Sequence, residues 1–236
     1  MKRVVALAVL LAAAGLGAGA ASAQKVADIG MQGMDTVSGK APKQAVIFFH
    51  GYTQKGMNMK PLADELAKQL PDAAFIFNDG PLPANSGNSW YILRGEDPEN
   101  TRGKSKQLAV DTVTKVSDGL KVPHDKIVVV GFSQGGGVAF DAGSCVTPDV
   151  KAVVSLAGIV ANGDCAKEAS GPAASVLIVH NDADPVVNAE RIQVFQDTLQ
   201  KGGYASTLER DPGNTHWPST VGLVKAVNFI VAQLKG

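Results

Sequence analysis

A serine stands in Gly131-Phe132-Ser133-Gln134-Gly135, with a glycine two positions away on either side. The pentapeptide directly follows the apolar run Ile127–Val130 and precedes a helical pattern over Gln134–Ala142. A serine on so sharp a turn between strand and helix needs glycine at both flanks, because side chains there would collide with the neighbouring strand and helix. Such a turn lifts the hydroxyl out of the sheet and aims the helix N-terminus at developing negative charge. Glycine and serine are common, so the letters alone say little. The strand–turn–helix setting is what points to a nucleophile rather than to a serine that only caps a helix.

A serine hydroxyl is a weak nucleophile at neutral pH and needs a base, itself oriented by an acid. On an open parallel sheet these partners come from loops after later strands, the acid before the histidine. The stretch after Val176–Val179 reads His180-Asn181-Asp182-Ala183-Asp184-Pro185-Val186-Val187 and offers two aspartates. Of the four histidines, His50 and His124 precede the serine and His180 ends a strand. That leaves His216, in Asn214-Thr215-His216-Trp217, as the base. An oxyanion hole needs two N–H donors. One is expected from Gln134, the residue after the nucleophile, and the other from the loop His50-Gly51-Tyr52-Thr53, where the Tyr52 N–H is placed. His50 itself is read as hydrogen-bonding within its loop.

These groups require a scaffold that presents several strand ends together. Ala45–Phe49, Ala73–Phe77, Ile127–Val130, Ala152–Leu156 and Val176–Val179 are short continuous apolar runs, as expected of strands buried on both faces. Ser206–Glu209 is a weaker last strand. Helical spacing of apolar residues marks Met59–Leu70, the set Leu108, Val113, Val116 and Leu120, then Gln134–Ala142, Ala189–Leu199 and Val221–Leu234. Strands alternating with helices give an α/β fold, a mostly parallel sheet covered on both faces. Val26–Val37 is expected to add an antiparallel pair at the edge. No internal repeat or linker divides residues 24–236, which are read as one domain.

Composition narrows the partners. Of 236 residues, 45% are hydrophobic and 19% charged, the balance of a globular protein with a sizeable core. Lys+Arg and Asp+Glu number 22 each, so no basic field draws the chain to nucleic acid or an anionic membrane. No clustered metal ligands, P-loop or dinucleotide-binding glycine pattern occurs, so no cofactor is expected. Residues 1–23 carry Lys2 and Arg3, then an apolar run from Val4, then Ala21-Ser22-Ala23. They read as a signal peptide cleaved before Gln24, which implies a periplasmic or secreted protein without stable membrane insertion after cleavage. Export gives meaning to the two cysteines, Cys145 and Cys165, for which an oxidising compartment permits a disulfide. Nothing in the sequence fixes an oligomeric state.

With these residues in place, the chain resembles the phospholipase/carboxylesterase branch of the α/β-hydrolases, which includes the acyl-protein thioesterases. Phe48–Tyr52 (FFHGY) through His216 carries the likeness, and Gly131–Gly136 (GFSQGG) is its most specific piece. The resemblance implies a serine hydrolase with a minimal fold. Its H-G-x-x-D-x-V-V pattern selects Asp184 over Asp182, giving Ser133, Asp184 and His216 as the triad. The chain departs from that pattern at Asn181, where Gly is usual, and at Asn188, where Pro is common. The signal peptide is a third departure, since this fold is more often cytoplasmic.

Substrate choice belongs to the pocket walls. Trp90 is a candidate for lining the pocket, with Tyr91 beside it, although an aromatic pair after a loop is as often core. Arg94, Glu96, Asp97 and Glu99 read as a solvated loop, and Asp141 as a surface residue. The irregular stretch Asn78–Arg102 has no helical apolar stripe that would serve as a lid. The expected substrates are therefore small soluble carboxylic esters, and thioesters on the same chemistry, with short to medium acyl chains. A polyester depolymerase, a serine peptidase or a non-catalytic binding module would fit the same fold.

Overall fold

The structure, a computed structural model, describes residues 24–93, 98–146, 149–158 and 173–236. The proposed signal peptide, Arg94 to Asp97 and Cys165 lie outside the described residues. The sheet is built from β1 (Gly33–Met34), β2 (Gln44–Phe49), β3 (Ala73–Asn78), β6 (Ile127–Phe132), β7 (Ala152–Leu156), β8 (Ser175–Asn181) and β9 (Ser206–Asp211). Its order is β1-β3-β2-β6-β7-β8-β9, and every pairing is parallel except β1 with β3. The edge expected over Val26–Val37 is thus one two-residue antiparallel strand. The remaining strands, β4 (Leu82–Ala84) and β5 (Gly87–Ser89), form a separate hairpin.

The continuous apolar runs follow from burial on both faces. Along β2, Ile47 and Phe49 point into one core, and Val46 and Phe48 into the other. The first core is covered by α2 (Pro98–Leu120), α3 (Gln134–Ser144) and α4 (Ala189–Lys201), through Val113, Val116, Phe140, Ile192 and Phe195. The second is covered by α1 (Lys60–Ala67) and α5 (Thr220–Lys235), through Leu62, Leu66, Ile230 and Leu234. Each fully buried aliphatic or aromatic side chain of this kind contributes about 1.5–3 kcal/mol.

Three local readings change. The stretch Asn78–Arg102 is less irregular than expected: it contains the β4–β5 hairpin, and α2 begins at Pro98, where proline suits a first helical turn. Glu99 is exposed in that turn, near the positive end of the helix dipole. Asp141 is not a surface residue. It is only 7% exposed and pairs with Arg102, Nη2 to Oδ2 at 3.3 Å, because α2 packs directly across the outward face of α3. Asn188, the departure after the two valines, caps α4, its side chain accepting from the Glu190 N–H at 2.6 Å.

Candidate active site

The parallel strands run in one direction, so β2, β6, β8 and β9 deliver their following loops to one edge of the sheet. Ser133 leaves β6 with φ 52 and ψ −118, an unfavourable conformation for a residue with a Cβ. Close packing holds it there. A Cβ at Gly131 would strike the carbonyl of Gly135, and one at Gly135 would strike the Phe49 and His50 carbonyls at the end of β2. The Ser133 N–H donates to the Leu156 carbonyl at the end of β7, 2.9 Å away. Although Ser133 stands at the N-cap of α3, its hydroxyl makes no capping bond.

That hydroxyl meets His216 instead: Oγ lies 2.7 Å from Nε2, across 83 residues of chain. The other ring nitrogen, Nδ1, lies 2.8 Å from Asp184 Oδ2. A carboxylate only accepts, so the proton sits on Nδ1 and Nε2 is left to accept from serine. The Asp184 side chain is fully buried, and its Oδ1 accepts the N–H groups of Val186 at 2.7 Å and Val187 at 3.1 Å. Burial pushes the Asp184 pKa upward, but these hydrogen bonds outweigh it and hold the carboxyl below its ordinary value. Asp182, two residues earlier, is 46% exposed and pairs with Arg210 at 2.6 Å. The geometry therefore separates the two aspartates on which the sequence left a choice.

The base loop has its own support. Asn181, 1% exposed at the end of β8, donates through Nδ2 to the carbonyls of Thr215 at 2.8 Å and Trp217 at 2.9 Å, one on each side of His216. Its Oδ1 accepts the Ser219 N–H at 3.3 Å. Sequence reasoning noted Asn181 only as a departure. A carboxamide facing a loop that carries the base was the available signal, because it can bridge two carbonyls where glycine offers nothing. Phe132 flanks the same loop, its ring 4.9 Å from that of His216 and 4.6 Å from that of Trp217.

The two expected oxyanion donors border this constellation. Gln134 is the first residue of α3, and Tyr52 follows Gly51, whose Cβ position is closed by the Phe132 ring. Among the described residues neither backbone N–H has an intramolecular acceptor, as required of groups kept for a substrate oxygen. His50 is fully buried with both ring nitrogens engaged, Nδ1 donating to Gly51 O at 2.7 Å and Nε2 accepting from the Gly80 N–H at 2.9 Å. Burial lowers its pKa and keeps it neutral, as its loop-bonding role requires. His180 is also fully buried and neutral for the same reason, with Nδ1 3.8 Å from Asp184 Oδ2.

A cleft of about 400 Å³ opens beside these donors, lined by Tyr52, Leu82, Ser89, Tyr91, Ile92 and Leu93 among others. Trp90 is not part of it. It is 1% exposed in the core, its Nε1 donating to His50 O at 2.8 Å and its ring packing on Phe49 and His50. The pocket role expected for Trp90 is corrected to a buried anchor, because its indole is held by the His50 carbonyl and the Phe49 and His50 rings, while its neighbours Ser89, Tyr91, Ile92 and Leu93 line the cleft. Tyr91 carries the Arg102 guanidinium 5.1 Å from its ring centre. Of the two cysteines, Cys145 at the end of α3 is disulfide-bonded, and Cys165 lies outside the described residues.

A family model described as Phospholipase/Carboxylesterase matches residues 33–234. An acyl-protein thioesterase 1 from Debaryomyces hansenii is 27% identical over 217 residues, covering 83% of this chain and 94% of that protein. Esterase YpfH from Escherichia coli is 24% identical over 179 residues, covering 72% of this chain and 74% of that protein. The crystal structure of esterase PE8 superposes with a TM-score of 0.78 at 23% identity, over 86% of this chain and 98% of that one.

Proposed function

The chain belongs to the phospholipase/carboxylesterase family of α/β-hydrolase-fold serine hydrolases, and from that premise we propose that it is an exported esterase acting on soluble carboxylic esters of short to medium acyl chain. The observation that carries the reading is the unbroken relay from Ser133 Oγ to His216 Nε2 at 2.7 Å and from His216 Nδ1 to Asp184 at 2.8 Å.

Ser133 Oγ attacks the ester carbonyl as its proton passes to His216 Nε2, and the carbonyl oxygen becomes an oxyanion held by the Tyr52 and Gln134 N–H groups. The imidazolium is compensated by the buried Asp184 carboxylate, then gives its proton to the departing alcohol, leaving the acyl group on Ser133. Water enters, yields its proton to His216, and attacks the acyl carbon. Collapse returns that proton to Ser133 and releases the acid. A thioester passes through the same steps with a thiol as the leaving group. The relatives named acyl-protein thioesterases support that second leaving group, but a chain exported behind residues 1–23 does not meet intracellular acyl-proteins.

The cleft supports the reading of small, soluble esters. Its wall is the β4–β5 hairpin with the segment that follows, and none of its described lining residues belongs to a helix. Among the described residues the cleft has no lining helix that could act as an amphipathic lid.

The test is covalent labelling with a fluorophosphonate, followed by p-nitrophenyl esters of increasing chain length. Wild-type protein labels and Ser133→Ala does not, and its ester turnover drops by about 10⁴-fold or more. Full labelling of Ser133→Ala would place the nucleophile on another serine. Rates follow simple saturation with monomeric ester, and a jump at the solubility limit would overturn the substrate class. N-terminal sequencing of exported protein should begin at Gln24.

A further inference from the structure

Gln134 has a side chain as well as an N–H, and the two serve different parts of the site. We propose that the Gln134 carboxamide is a specificity-determining residue: it locks the wall of the acyl cleft to the nucleophile helix and thereby sets which acyl chains react productively. The proposal rests on the reading that Ser133 is acylated and that the acyl chain occupies the cleft beside it.

The carboxamide is buried, with Gln134 only 7% exposed, and it spends its bonding capacity on one short segment. Oε1 accepts the Trp90 N–H at 3.0 Å, while Nε2 donates to Tyr91 O at 2.8 Å. The orientation is fixed by chemistry, since a backbone N–H only donates and a carbonyl only accepts. Ser89 completes the set. Its one hydroxyl proton serves the shorter contact, to Tyr91 O at 2.7 Å, and its oxygen accepts from Nε2 at 3.1 Å.

Beyond Ser89 the chain belongs to neither sheet. Gln134 stands in for a neighbouring strand there, taking up one N–H and one carbonyl of the wall. The same segment supplies Ser89, Tyr91, Ile92 and Leu93 to the cleft. A second tie comes from Trp90, whose indole bonds His50 O, two residues before the Tyr52 donor. The wall is thus fastened next to both oxyanion donors, and its distance from Ser133 depends on these side chains. An acetyl group is too short to feel that distance fully, whereas each added methylene packs against the wall and does.

The experiment compares wild type with Gln134→Met, which keeps side-chain length and the backbone N–H but removes every bond to the wall. One readout is the ratio of kcat/KM for p-nitrophenyl butyrate to that for the acetate. The other is amide hydrogen exchange over residues 82–93. The ratio should change by at least about fivefold, carried mainly by KM of the longer ester. Exchange at Trp90 should rise about tenfold or more while β2 and β6 stay protected. A ratio within twofold of wild type, or one common factor on both esters with faster exchange throughout the sheet, overturns the proposal. Should Gln134→Met fail to fold, Ser89→Ala removes the bridging hydroxyl and is read by the same two measurements. A shift of about twofold in the same direction then supports the proposal, and no shift overturns it. Wild type that neither labels nor hydrolyses any ester overturns the functional reading as well. A labelled, active wild type with an unmoved ratio overturns this inference alone.

Discussion

Around Ser133 the backbone leaves no room: Gly131 closes on the Gly135 carbonyl, and Gly135 closes on the end of β2. Along Leu82–Leu93 the chain makes a two-stranded hairpin, tied through the Asn88 main chain to Thr53 and Gln54, and then a segment outside both sheets that is fastened by Gln134 and Trp90. The first region is positioned by main-chain contact that almost any substitution disturbs. In the second, the segment after the hairpin is positioned by side-chain bonds that can be exchanged without touching the reacting atoms. Chemistry and selectivity thus rest on different kinds of structure within one site, and each is open to separate attack.

The largest expected effect lies on the chemical side. Asp184→Asn should lower kcat by about 10³–10⁴-fold, because the imidazole loses both its tautomer lock and its compensating charge. Asp182→Asn should change kcat by less than about threefold, since Asp182 is half exposed and paired with Arg210. Steady-state kinetics on one p-nitrophenyl ester ranks the two, and the reverse order would move the acid to Asp182. Next comes Asn181→Ala, which frees the carbonyls on both sides of His216. It should lower kcat by about 10–100-fold with little change in KM, the pattern of a misplaced base. A near-normal kcat would show that the other contacts of the loop suffice.

A smaller effect joins the two regions. His50 bonds Gly51 on the nucleophile side and Gly80 on the hairpin side, and His180 sits beside Asp184, with Asp182, Arg210 and His216 also in its field. Burial holds both histidines below their ordinary value of 6.5, so the unfolded chain takes up their protons first. Their contribution is complete above pH 6.5 and is lost as pH falls below it, by up to about 1.4 kcal/mol per pH unit for each. Asp184 is shifted down from the ordinary carboxylate value of 3.8, so its contribution is lost only below that pH. Urea midpoints at pH 7.5, 6.5 and 5.5 should therefore decline over the last step, and a flat series would contradict the buried neutral histidines. The smallest effect on turnover is expected from reduction of the Cys145 disulfide, at the far end of α3 from Ser133. A bridge between the sequence's two cysteines, as expected from export, would close a loop of about 20 residues, worth on the order of 3 kcal/mol in the chain-entropy view. Reduction should lower the melting temperature while kcat at room temperature stays within about twofold.

What was legible in the sequence follows the same division. The strands were visible because burial on both faces forces unbroken apolar runs, and the nucleophile turn because close approach forces glycine. Ser133 and His216 could be picked from order and scarcity, but Asp182 and Asp184 could not be separated without the resemblance, since burial and not residue type distinguishes them. The wall was opaque. Trp90 and Tyr91 are neighbours of similar chemistry, and only the path of an irregular segment decides which faces the cleft. The Gln134 side chain was hidden for a related reason: its partners lie 43 to 45 residues away.

The contact between Ser133 and His216 bridges 83 residues, and that between Asp184 and His216 bridges 32. As the chain is synthesised, the strained serine turn and the strands that brace it emerge first, while the base does not yet exist. A nascent or half-folded chain therefore carries an exposed hydroxyl with no means of ionising it, and is chemically silent. Hydrolysis begins only when β9 zips onto β8 and presents His216. The appearance of activity in a refolding experiment consequently times the closing of the C-terminal half of the sheet, and spectroscopic signals that precede it belong to the half that carries the serine.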